Sequence, residues 1–298
     1  MKKNVYYFNI NYLCDNKCIF CYSHNTNNLK TESIITLKEI IKTINKYKIS
    51  EKDRLILNGG EPLLHKEINE ILNYISNTNI ETLIFTNGRN LTKLNPNFLT
   101  KNIRFIIPIH GDENTHNYIT KDTKSFQETL SSFKWLYENN LPCLVDLKII
   151  LNNETIKKLK FEKALKIWKE IPINNAIHIT KMMDTKVSKT NGCQSLNLDV
   201  VNKYTLKLFN EFKNNRKKLK FYSTCIKDIL SSTKYEIEHE NLEITLLYKD
   251  YASEHYIDLN KKNTSCIFEC DKKEYCLSEV DTYNVLEFYN NKFYNGME

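Results

Sequence analysis

Three cysteines near the start of the chain, Cys14, Cys18 and Cys21, are spaced C-x3-C-x2-C within the stretch NYLCDNKCIFCY. Nine cysteines in a chain without an evident secretory signal read as metal ligands before disulfides, because a reducing compartment keeps thiols free. Three thiolates at this spacing suit one corner-open cluster of iron and sulfide. A cubane of four irons bound by three thiolates leaves one iron free to bind and activate something else. A structural zinc knuckle is the competing use of the same residues, with His24 available as the fourth ligand that a closed zinc site needs.

A second set, Cys266, Cys270 and Cys276, is spaced C-x3-C-x5-C and lacks one ligand for a closed site. Cys225 is the natural fourth candidate and Cys193 its competitor. Four cysteines satisfy an iron–sulfur cluster or a structural zinc equally well. The remaining cysteine, Cys143, opens a strand-like run and reads as a small buried hydrophobe.

These residues must be positioned by regular structure, and the pattern for it is clear. Runs of β-branched and aromatic residues at 4–10, 54–58, 82–86, 103–109, 143–150 and 176–181 read as strands. Between them, apolar residues at helical spacing mark 36–47, 67–76, 125–139 and 155–170 as amphipathic helices. Alternating strand and helix implies a parallel sheet with right-handed crossovers, either an open, partial barrel or a doubly wound sheet. Beyond about residue 190 the pattern changes to one more helix (199–214), a strand at 219–223, and a β-rich aromatic stretch at 235–259.

The chain has only six glycines, and five of them (Gly59, Gly60, Gly88, Gly111 and Gly192) fall just after predicted strands. The first cysteine set follows the first strand. Parallel α/β folds build their sites at the carboxyl ends of strands, so both features point to a ligand on that face.

The cysteine trio, followed by NGGEP at Asn58–Pro62 and TNG at Thr86–Gly88, resembles the radical S-adenosylmethionine (radical SAM) superfamily over roughly residues 4–185. The resemblance implies an α/β fold of a partial (β/α)6 TIM-type barrel, residues 1–190. A small C-terminal α+β extension, residues 191–298, resembles the twitch or SPASM segments that hold auxiliary iron–sulfur clusters. By the same resemblance, Cys14, Cys18 and Cys21 would bind a 4Fe–4S cluster whose fourth iron takes the amino and carboxylate groups of S-adenosylmethionine. Phe20 would approach the adenine. Gly59, Gly60 and Glu61 would receive the methionine amino group, through bare backbone and one anionic acceptor. Asn87 and the His110–Gly111 turn hold the positions where other members contact ribose and carboxylate. Cys225, Cys266, Cys270 and Cys276 would hold a probable auxiliary 4Fe–4S cluster, and Cys193 would donate a hydrogen atom to a substrate radical.

The activity so implied is generation of a 5′-deoxyadenosyl radical that takes hydrogen from a substrate. The segment IHGDENTHNYITKDTKS after the fourth strand resembles peptide- and protein-maturing members. The expectation is a maturase of a ribosomally made peptide, performing epimerisation, a thioether link or a C–C crosslink, with a flavodoxin or ferredoxin as reductant. Side-chain maturation of a sulfatase-type protein is the alternative enzyme, and a non-catalytic, metal-stapled binding protein the alternative without chemistry. The first strand begins almost at Met1, so no separate peptide-recognition domain is expected before it.

Composition narrows the partners. The net charge of +7 is spread along the chain, and the only dense basic run, KNNRKKLK at 213–220, reads as a solvated face rather than a nucleic-acid footprint. No apolar run of about 18 residues is present, so a cytoplasmic, membrane-independent protein is expected. His65, His116, His178, His239 and His255 show no ligand pairing and read as surface or satisfied core histidines.

Overall fold

A computed structural model describes residues 3–21, 34–212, 218–222, 242–248 and 251–255. The chain alternates strand and helix as the pattern requires. β1 (Lys3–Asn11), α1 (Leu37–Lys46), β2 (Arg54–Gly59), α2 (Ile68–Ser76) and β3 (Glu81–Phe85) lead to β4 (Ile103–Pro108). α3 (Glu113–Thr120), α4 (Ser125–Glu138), β5 (Leu144–Leu151), α5 (Lys158–Glu170) and β6 (Ala176–Lys181) follow. Then come α6 (Lys186–Thr190), α7 (Leu198–Phe212), β7 (Lys218–Tyr222), β8 (Leu242–Tyr248) and β9 (Tyr251–His255).

The strands form one sheet in the order β7-β6-β5-β4-β3-β2-β1-β8-β9. Every neighbouring pair is parallel except β8 and β9. The six expected strands are thus joined by a seventh parallel strand beyond β6, and by β8 on the far side of β1. Among the described residues the edges β7 and β9 do not pair, so the barrel stays open.

Strand periodicity divides the sheet into two faces. Phe8, Leu57, Phe105, Leu147 and Ile179 point to the helices and join one continuous apolar core with Ile40, Ile71, Phe133, Phe161 and Trp168. Cys143 is fully buried in that core. The alternate residues turn to the concave face, and near the strand starts these are charged. Glu81 bridges Arg54 and Arg104, while buried Asp146 takes a 2.6 Å hydrogen bond from His178. Burial alone would raise the Asp146 pKa, but the His178 contact and the nearby Arg104 hold it below the ordinary carboxylate range.

Helix starts are fixed locally. Thr36 and Glu39 form a reciprocal capping box at α1. The segment after β4 holds the short helix α3, which the sequence pattern left as a turn. Asp112 caps it through the Thr115 N–H, and its buried face carries Thr115, His116, Ile119 and Thr120, a single apolar residue among polar ones.

Candidate active site

The cysteine loop leaves the end of β1 and is tied down on several sides. Gly60 N donates to Asn11 O at 2.9 Å and Glu61 N to Leu13 O at 2.6 Å, so the NGGEP turn extends the β1–β2 ladder into the loop. A Cβ on Gly59 would lie 2.1 Å from Asn11 O. The two glycines therefore let the cysteine loop lie directly on the end of β2. On the opposite side, Lys17 N and Ile19 N donate to the carbonyls of Thr120 and Ile119 at the end of α3, both at 2.9 Å. Asn191, just past α6, donates its side-chain amide to Ile19 O.

Glu61 sits fully inside this junction. Its carboxylate accepts from Thr86 Oγ1 at 2.6 Å, Asn87 N at 2.6 Å and Leu63 N at 2.9 Å. Burial pushes its pKa up to about 7 against the lowering effect of those three bonds. A carboxyl so poised gains from a cation placed beside it. Asn87 also reaches the cysteine loop, donating to Asp15 Oδ1 at 2.6 Å, while its Oδ1 accepts from Arg89 N.

The far wall is His110, whose ring meets Phe20 edge-on with centroids 5.3 Å apart. His110 N donates to His116 Nδ1, and His116 Nε2 contacts Ser125 Oγ. Burial first, then the neighbouring His116 and Lys148, holds the His110 pKa well below its ordinary value, so the ring is neutral. Its Nδ1 is buried without a hydrogen-bond partner, as is Asn11 Oδ1 on the other side of the site. Lys148, on the concave side of β5, lies 5.0 Å from the Phe85 ring centroid, and burial lowers its pKa to about 8.

Under the loop lies a small apolar cluster of Ile19, Ile119, Met182 and Cys193, with Phe20 and Ile150 against it. Cys193 is 1% exposed and its Sγ is 3.6 Å from Met182 Sδ. Burial pushes its pKa up to about 12, so it is a thiol, not a thiolate.

The structure thus brings Cys14, Cys18, Cys21, Phe20, Gly59, Gly60, Glu61, Asn87, His110 and Cys193 to one end of the sheet. Cys225, Cys266, Cys270 and Cys276 lie outside the described residues. His65, His116 and His178 are buried and hydrogen-bonded, as expected of core histidines. Sequence reasoning passed over Asp15, Arg89 and Lys148, because none stands in a recognisable motif.

The family model of the radical SAM superfamily matches residues 8–164, more than half of the chain. This chain belongs to the radical SAM superfamily. Among curated members it is 27% identical over 142 residues to the sporulation killing factor maturation protein SkfB of Bacillus subtilis, covering 47% of this chain and 34% of SkfB. It is 24% identical over 191 residues to a putative glycyl-radical enzyme activating enzyme of Methanocaldococcus jannaschii, covering 60% of this chain and 73% of that protein. In fold it resembles Streptococcus suis SuiB with a TM-score of 0.59 at 12% identity, over 82% of this chain and 58% of SuiB. SuiB structures of the same fold hold the precursor peptide SuiA or S-adenosylmethionine.

Members of this superfamily use a 4Fe–4S cluster and S-adenosylmethionine. The donor set here fits both. Cys18 is raised in pKa first by burial and then by Cys21 and Cys14, which places the three thiols within electrostatic reach of one another. Among the described residues no group of three His, Cys, Asp or Glu side chains is gathered closely enough for a single ion. The unpartnered Asn11 Oδ1 and His110 Nδ1, with the Glu61 carboxyl, border the place that a polar ligand would fill.

Proposed function

We propose that this protein is a radical SAM enzyme that modifies a ribosomally made peptide by hydrogen abstraction, leading to epimerisation, a thioether link or a C–C crosslink. The observation that carries the reading is the cysteine loop clamped onto the NGGEP turn, with the Glu61 carboxyl buried in that junction. When bound, the cluster and S-adenosylmethionine supply a 5′-deoxyadenosyl radical able to attack unactivated C–H bonds.

The chain's own residues have separate tasks. Cys14, Cys18 and Cys21 hold the cluster. Gly59, Gly60 and Glu61 take the methionine amino group, and the poised Glu61 carboxyl ionises in its presence. Phe20 covers the adenine, and Asn87 and His110 orient the ribose and carboxylate. Where the outcome is epimerisation, Cys193 serves as hydrogen-atom donor to the substrate carbon radical: only a protonated thiol can do this, and its apolar surroundings keep it protonated. Residues 1–190 supply β1 to β6 of the barrel. Residues 191–298 add β7 and β8 to its sheet and carry the extension in which Cys225, Cys266, Cys270 and Cys276 bind an auxiliary cluster.

A peptide substrate is supported by the names of two relatives, a killing-factor maturation protein and an enzyme crystallised with its precursor peptide. The open edge of the barrel suits an extended chain. A flavodoxin or ferredoxin supplies the electron. Among the described residues no helix is long and apolar enough to cross a membrane, which is consistent with a cytoplasmic site of action.

The deciding experiment measures iron and sulfide per chain after anaerobic reconstitution, together with 5′-deoxyadenosine formed under reductant. Wild-type protein should hold about eight irons, falling to about four when Cys14, Cys18 and Cys21 are all changed to Ala. 5′-Deoxyadenosine should form only in the wild type. Its absence there would leave a metal-stapled binding protein. Four irons falling to none would remove the auxiliary cluster from the reading.

A further inference from the structure

Arg89 follows the TNG turn, and its side chain is only 9% exposed. Its Nη1 donates to the backbone carbonyl of Asp15 at 3.0 Å and to Asn16 Oδ1 at 2.9 Å. The same nitrogen lies 3.1 Å from Asp122 Oδ2, and Nε donates to Glu128 Oε2 at 2.5 Å. Asp15 is gripped from the same side, its two carboxylate oxygens accepting from Asn87 Nδ2 at 2.6 Å and Asn90 Nδ2 at 2.9 Å. Every one of these loop contacts falls on Asp15 or Asn16, in the interval between Cys14 and Cys18.

That interval has no strand or helix of its own; backbone bonds hold it at Leu13 and Lys17, and the Asp15–Asn16 bend between them is left to side chains. Cys14 is itself exposed, so packing does not fix that bend. A planar guanidinium held rigidly by two carboxylates can do so, because its fork presents donors at fixed angles. We infer that Arg89 is a positioning residue for the cluster: anchored on Asp122 and Glu128, it fixes the Asp15–Asn16 bend and so the spacing of Cys14 and Cys18. This rests on the cluster reading given above.

The test compares wild type, Arg89→Met, Arg89→Lys and the loop-side double variant Asp15→Asn/Asn16→Ala, each reconstituted anaerobically. Three readouts are taken: the rate of iron loss to a chelator, the electron paramagnetic resonance line shape of the reduced cluster, and the thermal midpoint. Arg89→Met should release iron about tenfold faster than wild type with an altered line shape, the scale expected for an outer-shell partner. Arg89→Lys should fall between the two. The double variant leaves the Arg89–Asp122–Glu128 anchor intact, so it should keep the wild-type midpoint yet release iron faster, even if Arg89→Met folds poorly.

Wild-type iron retention and line shape in both Arg89→Met and the double variant would overturn the inference while the cluster reading stood. Faster iron loss that merely tracks a lower midpoint in every variant would overturn it as well. A wild-type protein that takes up no iron or sulfide would overturn the cluster reading, and this inference with it.

Discussion

Gly60 lies so close against Leu13 that a Cβ on it would stand 2.3 Å from the Leu13 carbonyl oxygen. The same carbonyl accepts the Glu61 N–H, so one point of contact seats both the cysteine loop and the buried carboxylate. Gly60→Ala should prise the two apart at a cost of about 1–3 kcal/mol, the range for overpacking a tight junction. Chemical denaturation should register the loss, and iron per chain after reconstitution should fall in parallel.

Glu61 should make cofactor binding depend on pH. With a pKa near 7 it is largely protonated at pH 6 and ionised at pH 8. The ionised form accepts a hydrogen bond from the methionine amino group with both oxygens, whereas the neutral acid does so poorly, so affinity for S-adenosylmethionine should rise, by up to about tenfold, over that interval. Calorimetric titration of reconstituted protein at several pH values reads this directly. Glu61→Gln should bind weakly and lack that share of the rise.

His116 should shape stability in mild acid. Burial, with Arg89 nearby, lowers its pKa from 6.5 to about 4. Between those values the unfolded chain binds a proton that the folded chain does not, so stability falls as pH drops through the window. His65, His110 and His178 are also depressed and act in the same sense, while the raised Glu61 opposes them. Urea unfolding of the iron-free protein between pH 4.5 and 6 should therefore flatten in His116→Asn, by at most about 1.4 kcal/mol per pH unit.

Cys193→Ala separates the donor role from a ligand role. The variant should lose about 1 kcal/mol from the small void beside Met182, retain its iron, and still form 5′-deoxyadenosine. Product formation should stop. Iron loss in this variant would instead make Cys193 a cluster ligand.

Much of this was legible before any coordinates, and for local reasons. β-branched runs marked β1 to β6, and the cysteine spacing with NGGEP and TNG marked the loops that meet. Glycine scarcity pointed to the end of the sheet where these loops meet, although Gly59 and Gly60 prove to be needed for the passage of the β1 loop. What stayed hidden depends on contacts without a period. Arg89 and Asp15 lie in different βα loops, and nothing near either announces the other. α3 escaped because its buried face, Thr115, His116, Ile119 and Thr120, holds a single apolar residue, too few to show a helical period. The place of β8 beside β1 was equally unreadable, since a strand's own sequence does not say which edge it will join.

That placement has a consequence for how the molecule assembles. β1 bears the cysteine loop, yet one of its two neighbours, Leu242–Tyr248, comes from the far end of the described chain. Contacts of such long sequence separation close late and slow folding. Until they close, β1 presents a bare hydrogen-bonding edge, of the kind that recruits other chains. A chain truncated before β8 should accordingly aggregate through β1.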